Sequence, residues 1–199
     1  MRSRAGAALL AGLLAAPGAA QGNVVERILA VVDGRPLLLS EVSVVERLRS
    51  LDRQAAVDAL IDERLMFREA AHLPEAVVSA EEEERAYRDL AARVPAGAGA
   101  TEDDLRRLAR RQTAILKYID FRFRPQVRVE EAEVRAAWEQ ERAARPETPD
   151  FEEDAPRVRA RLEAAALDQR IEQWVKDLRA GAEIRYNALP GPASPPPPS

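Results

Sequence analysis

The chain has 199 residues, 46% hydrophobic and 32% charged, which supplies a core beneath a well-solvated surface. It contains no cysteine, which excludes disulfides and thiolate metal sites, and its one histidine, His72, excludes His-pair zinc sites. A balance of 30 basic against 34 acidic residues, formal charge -4, argues against nucleic acid as the main partner.

The first residues read as a secretory leader. Arg2 and Arg4 precede an apolar run over 5–16, Pro17-Gly18 breaks it, and Gly18-Ala19-Ala20 supplies small residues for cleavage after Ala20. The run is too short for an ordinary transmembrane helix, and no cysteine is there to carry lipid. Residues 1–20 are therefore expected to be a signal peptide, and the product to work in an extracytoplasmic compartment without stable membrane insertion.

Ile28-Leu29-Ala30-Val31-Val32 is a short extended run. Asp33-Gly34 behind it is a tight-turn signal, because glycine takes positive φ freely and aspartate tolerates the left-handed region. Residues 36–39 read as a brief return strand or extended arm. Ser40 is placed to cap a helix striped by Val44, Val45 and Leu48. Asp52 is placed to cap a longer helix to about Ala71. Its Val57, Leu60, Ile61 and Leu65 recur at helical spacing, and Met66 and Phe67 broaden the apolar face. His72 follows that helix, where a hydrogen-bonding end group suits the terminal carbonyls; a catalytic role is the other reading of it.

Ser79 and Glu82 have the spacing of a capping box and start a helix carrying Tyr87, Leu90 and Ala91. The four acids 81–84 point around that helix, so they read as a dipole-favoured start rather than a cation cage. After a small-residue loop over 95–100, Thr101 and Asp104 start a further helix with Leu105, Leu108, Ile115, Leu116 and Ile119 on its apolar side. Arg106, Arg107, Arg110 and Arg111 lie on its polar side. Without interleaved aromatics they read as solvation or interhelix pairing rather than as phosphate ligands. Phe121 and Phe123 come just before Pro125, which stops or bends the helix.

Residues 129–140 predict another short helix, with Val134 and Trp138 one turn apart. A final long helix is expected from about Pro156 to Ala180, with Gly181 as its cap and residues 183–186 as a terminal strand. Pairing that strand with residues 28–32 would protect two otherwise exposed edges. Residues 190–199 hold six prolines, so polyproline II or disorder is expected there.

Residues 21–142, together with 151–186, resemble the chaperone module of the periplasmic SurA and parvulin-type foldase group. The resemblance is carried by the run from Ile28 through Asp33-Gly34-Arg35-Pro36 to Val42, and by Leu60-Ile61-Asp62-Glu63-Arg64-Leu65 with Glu69-Ala70. Arg111-Gln112 through Phe123-Arg124 and Val129 through Trp138 add to it, as do Trp174-Val175-Lys176-Asp177-Leu178-Arg179 and Ile184-Arg185-Tyr186. It implies a mainly α fold: a helical SurA-like chaperone module over 21–189, with a short N-terminal strand or hairpin pairing with a C-terminal strand. Many members of that group carry a peptidyl-prolyl isomerase domain between the two parts. Here residues 143–150 are far too short to hold one and read as a short linker in its place.

The function so implied is that of a periplasmic holdase chaperone. It would cover unfolded outer-membrane protein segments without isomerase activity, and it would need no metal or cofactor. Met66, Phe67, Tyr87, Phe121, Phe123 and Trp138 are the candidate client-contacting residues, each with core packing as its alternative role. The second reading is a non-catalytic adaptor that docks to an envelope assembly factor or to a separate isomerase.

Overall fold

The computed structural model describes residues 26–94, 100–145, 147 and 149–187. The expected signal peptide and Pro-rich tail lie outside the described residues, as do most of the loop after Val94 and Pro146 and Thr148 of the expected linker.

The described chain opens with a hairpin of β1 (Ile28–Val32) and β2 (Arg35–Leu38). Asp33 and Gly34 between them have φ of 47° and 76°, positive at both central positions as this two-residue hairpin turn requires. Helices α1 (Leu39–Arg49), α2 (Arg53–Ala70), α3 (Ala80–Ala91), α4 (Glu102–Arg122), α5 (Glu131–Ala144) and α6 (Phe151–Ala180) follow. The chain returns as β3 (Ile184–Tyr186). The fold is mainly helical.

Short-range side-chain chemistry sets most of the helix starts. Asp52 accepts from the Ala55 N–H at 2.9 Å, and Ser79 and Glu82 cap each other's backbone amides at 3.2 and 2.7 Å. Thr101 and Asp104 repeat that arrangement at α4. Ser40 does not cap α1, contrary to its reading from sequence. It lies inside the helix, and the Glu41 carboxylate accepts from the Leu38 N–H at 3.1 Å instead. The helix starts at Leu39, so Ser40 falls in its first turn, past the capping position.

The start of α6 also needs correction, since the helix begins at Phe151 and encloses Pro156. Phe151, Ala155 and Val158 pack with Val134 and Trp138 of α5. Glu152, Glu153 and Asp154 occupy the first turn, where the helix dipole favours acids. These contacts offset the one backbone hydrogen bond that Pro156 cannot donate.

The strands form a sheet of order β2-β1-β3, antiparallel throughout. The expected fold class, a SurA-like module closed by its N-terminal and C-terminal strands, is overturned by this sheet. It is a small, open, three-stranded sheet with β1 at its centre, and β2 and β3 both remain edges. Closure would need further strands to satisfy the outer sides. The expected pairing of the terminal strand with residues 28–32 is present, Val32 opposite Ile184 and Ala30 opposite Tyr186, and it covers the inner side of β3 but leaves its outer side open.

The sheet rests on α1 and α2. Leu29, Leu37, Val45, Leu60, Ile61 and Leu65 are fully buried between them, and Leu178 of α6 and Ile184 of β3 join from the side. Two carboxylates are buried among the described residues, Asp154 beside Arg157 on α6 and Glu63 on α2. Glu63, 3% exposed, receives Arg111 of α4 at 2.9 Å, Gln112 at 3.3 Å and Arg49 of α1 at 3.5 Å. That carboxylate joins three helices, and removing it would strand partly desolvated donors. The α4 arginines pair across helices as well, with Arg106 2.8 Å from Glu84.

Candidate functional site

The two outer edges of the sheet are built differently. In an antiparallel ladder, hydrogen-bonded residue pairs alternate with non-bonded ones, so every second residue of an edge strand turns its backbone groups outward. On β3, the Glu183 carbonyl accepts from Asp33 N–H at 2.9 Å, and Asn187 N–H donates to the Leu29 carbonyl at 2.9 Å. With Arg185 opposite Val31, residues 183, 185 and 187 face β1. Ile184 and Tyr186 therefore present their N–H and C=O groups outward, and none of these meets a partner among the described residues.

On β2 the outward residues are Pro36 and Leu38, and both are occupied. Pro36 has no N–H, and its carbonyl accepts from Arg64. Leu38 N–H is taken by Glu41, which also binds the Arg64 guanidinium at 2.7 Å. A proline plus a charged side chain bound to the edge is a standard way of blunting a strand against further pairing. Of the two edges, β3 is the one left able to accept another strand among the described residues.

A polar network fixes β3 in place. The Tyr186 hydroxyl donates to Asp58 at 2.7 Å, and Arg179 of α6 reaches both Asp62 and Asp58 on α2. Burial pushes the Asp58 carboxyl upward, but bonds from Gln54, Tyr186 and Arg179 outweigh it and hold its pKa below the usual value. Burial, together with the bond to Asp58, pushes the Tyr186 hydroxyl above its ordinary value. Desolvation works against the Arg179 charge, yet Asp62 and Tyr186 keep it more firmly protonated than usual. Tyr186 remains 47% exposed, with its ring at the rim of the open edge.

The six residues singled out from sequence do not converge. Phe121, 52% exposed on α4, presents a large apolar side chain to solvent. Met66 and Phe67 are half-buried on α2, Phe67 against Ala70, Ala76 and Ala114. Tyr87 packs in the α3–α4 core with the Arg106 guanidinium 4.1 Å from its ring centre. Trp138 is buried between α5 and α6 and donates its indole N–H to Pro149 O at 3.0 Å. Phe123 joins an aromatic cluster, 5.9 Å from Tyr118 and 5.2 Å from Trp174.

Tyr118 escaped the sequence reading, although its step of four from Ala114 places it on the same helical side. It stacks on Trp174 with ring centres 4.9 Å apart, and so pins the end of α4 to the C-terminal part of α6. Ile184 and Tyr186 were read as strand but not as an edge. Their alternation was the available signal, and register alone turns it into outward-facing amides. His72 is exposed just after α2, and its side chain bonds none of the terminal carbonyls.

Among the described residues, no group of three or more His, Asp or Glu is placed to hold a metal ion, and no helix is long and apolar enough to cross a membrane. No family model matches the chain, and no curated protein matches it.

Proposed function

We propose that this chain is a non-catalytic holdase that binds unfolded, extended segments of outer-membrane proteins in the periplasm and releases them unchanged. The open outer edge of β3 carries the reading, with Ile184 and Tyr186 offering backbone donors and acceptors. An unfolded β-barrel strand has unpaired backbone groups and alternating apolar side chains, and it can add to such an edge. The two outward residues supply about four hydrogen bonds of roughly 1 kcal/mol net each, before the entropy of ordering a client is subtracted. That balance suits weak, reversible cover. The half-exposed Tyr186 ring and the nearby Ile28 side chain, 42% exposed, offer apolar contact next to the edge. The leader-like first 20 residues support the compartment, and the resemblance to the periplasmic foldase group supports the client class.

The test is light scattering of a chemically denatured outer-membrane β-barrel protein diluted into increasing amounts of the full chain. Suppression that saturates at a defined ratio, and is absent with an inert acidic protein, is the expected result. Unchanged aggregation in the presence of folded protein would overturn the holdase and favour an adaptor docked to an envelope assembly factor or a separate isomerase.

A further inference from the structure

A second recognition surface lies on the β2 side of the sheet, away from the open β3 edge. A cleft of about 630 Å³ separates the hairpin from the C-terminal half of α2, and Arg111 of α4 reaches into its wall. Pro36, Phe67 and Ala71 give it apolar surface, with Val32 and Leu65 buried behind them. The volume falls in the range of small-molecule sites, which combine apolar walls with a few placed polar groups.

The charges around this lining do not cancel. Asp33 is engaged by Arg68 and by the Glu183 N–H, and Glu41 by Arg64 and the Leu38 N–H. Arg111 is neutralised by the buried Glu63 at 2.9 Å. Both lining carboxylates are thus saturated. Arg35 and His72 also line the cleft, and neither side chain meets a hydrogen-bond partner among the described residues. An acidic chain therefore holds, beside one partly apolar cleft, an exposed guanidinium with no partner among the described residues.

We propose that this cleft binds a carboxylate carried on an apolar body. Arg35 receives the carboxylate through its planar pair of N–H donors, and Pro36 and Phe67 cover the apolar part. His72 contributes a further ring nitrogen at the α2 end of the wall. This inference is independent of the β3 edge, since the two sites share none of the residues on which each depends.

Such a carboxylate has two sources, the C-terminal residue of a peptide or a free small acid, and calorimetric titration of the full chain separates them. The probes are N-acetylphenylalanine, 3-phenylpropionate, the primary amide of each, and acetate. We expect saturable binding of at least one aromatic carboxylate, at least about tenfold tighter than its amide, in keeping with the loss of one charge-assisted hydrogen bond. Preference for N-acetylphenylalanine supports the cleft and assigns a peptide terminus; preference for 3-phenylpropionate supports it and assigns a free acid. Arg35→Gln should weaken binding about tenfold, while Arg185→Gln on β3 leaves it unchanged. Equal binding of acids and amides, binding of acetate as tight as that of the aromatic acids, an unaffected Arg35→Gln variant, or no saturable binding would each overturn the assignment. Arg35→Gln should still suppress client aggregation, so failure of this cleft and failure of the holdase reading are separately visible.

Discussion

The two edges of one small sheet have opposite fates. β2 is sealed by a proline, an arginine and a glutamate drawn from β2, α2 and α1, whereas β3 leaves every second backbone unit unpaired. Both strands are short and both lie beside β1, so strand propensity does not explain the difference. It comes from what stands next to each edge. Arg64 and Glu41 are placed to reach β2, while the charged neighbours of β3, Asp58 and Arg179, bind the Tyr186 side chain and leave its backbone alone. Sealing and opening are thus matters of a few side chains on neighbouring helices.

The sharpest way to break this comparison is to exchange the roles of adjacent residues on β3. Arg185→Pro removes an N–H that faces β1 and should cost about 3 kcal/mol in urea unfolding. Ile184→Pro removes an outward N–H and part of a packed side chain, and should cost only about 1 kcal/mol. Equal losses would mean that the register of β3 is wrong. Arg179→Ala comes next, at about 1–2 kcal/mol after allowance for its partial exposure, because it releases Asp58 and Asp62 together. Amide exchange should quicken in β3 and not in β2. Arg64→Ala should cost about 0.5–1 kcal/mol. It frees the Pro36 carbonyl yet creates no new strand acceptor site, since Pro36 still has no N–H. A gain in client binding by that variant would contradict the account of β2.

Acid provides the gentlest probe. Asp58, Glu82, Asp104, Glu141 and Asp154 all have pKa values held below their ordinary ones, Asp58 against a leading pull of desolvation and the others chiefly by hydrogen bonds from Ser79, Lys117, Thr101 or Arg157. The native state therefore binds fewer protons than the unfolded chain, and stability rises with pH through this region. Their contribution is complete above about pH 4 to 5 and is lost as pH falls through the depressed native values. Of the five, Asp58 touches β3, so amide exchange between pH 6 and 2 should show β3 loosening before β2. Constant stability over that range would remove these carboxylates from the account.

What the sequence made legible was local. Asp33-Gly34, Asp52, Ser79 with Glu82, and Thr101 with Asp104 act through neighbours three residues away or fewer, and their turns and caps follow from spacing alone. Ser40 failed because the helix begins one residue before it, at Leu39, with Leu38 in the capping position. Pro156 failed because packing between α5 and α6 outweighs one missing hydrogen bond. The open edge was not legible, since it depends on which of Ile184 and Arg185 faces β1, a matter of register across about 150 residues of chain. The same reason hid the Tyr118–Trp174 stack, in which neither residue announces its partner.

The most direct test of the central claim compares Ile184→Pro with Ile184→Ala in the aggregation assay, both confirmed as folded by circular dichroism. Ile184→Ala loses the same core contact but keeps the outward N–H. The account predicts that Ile184→Ala still suppresses aggregation of the denatured β-barrel while Ile184→Pro loses most of that capacity. Equal suppression by the two would contradict strand addition at β3 and place client binding elsewhere on the molecule.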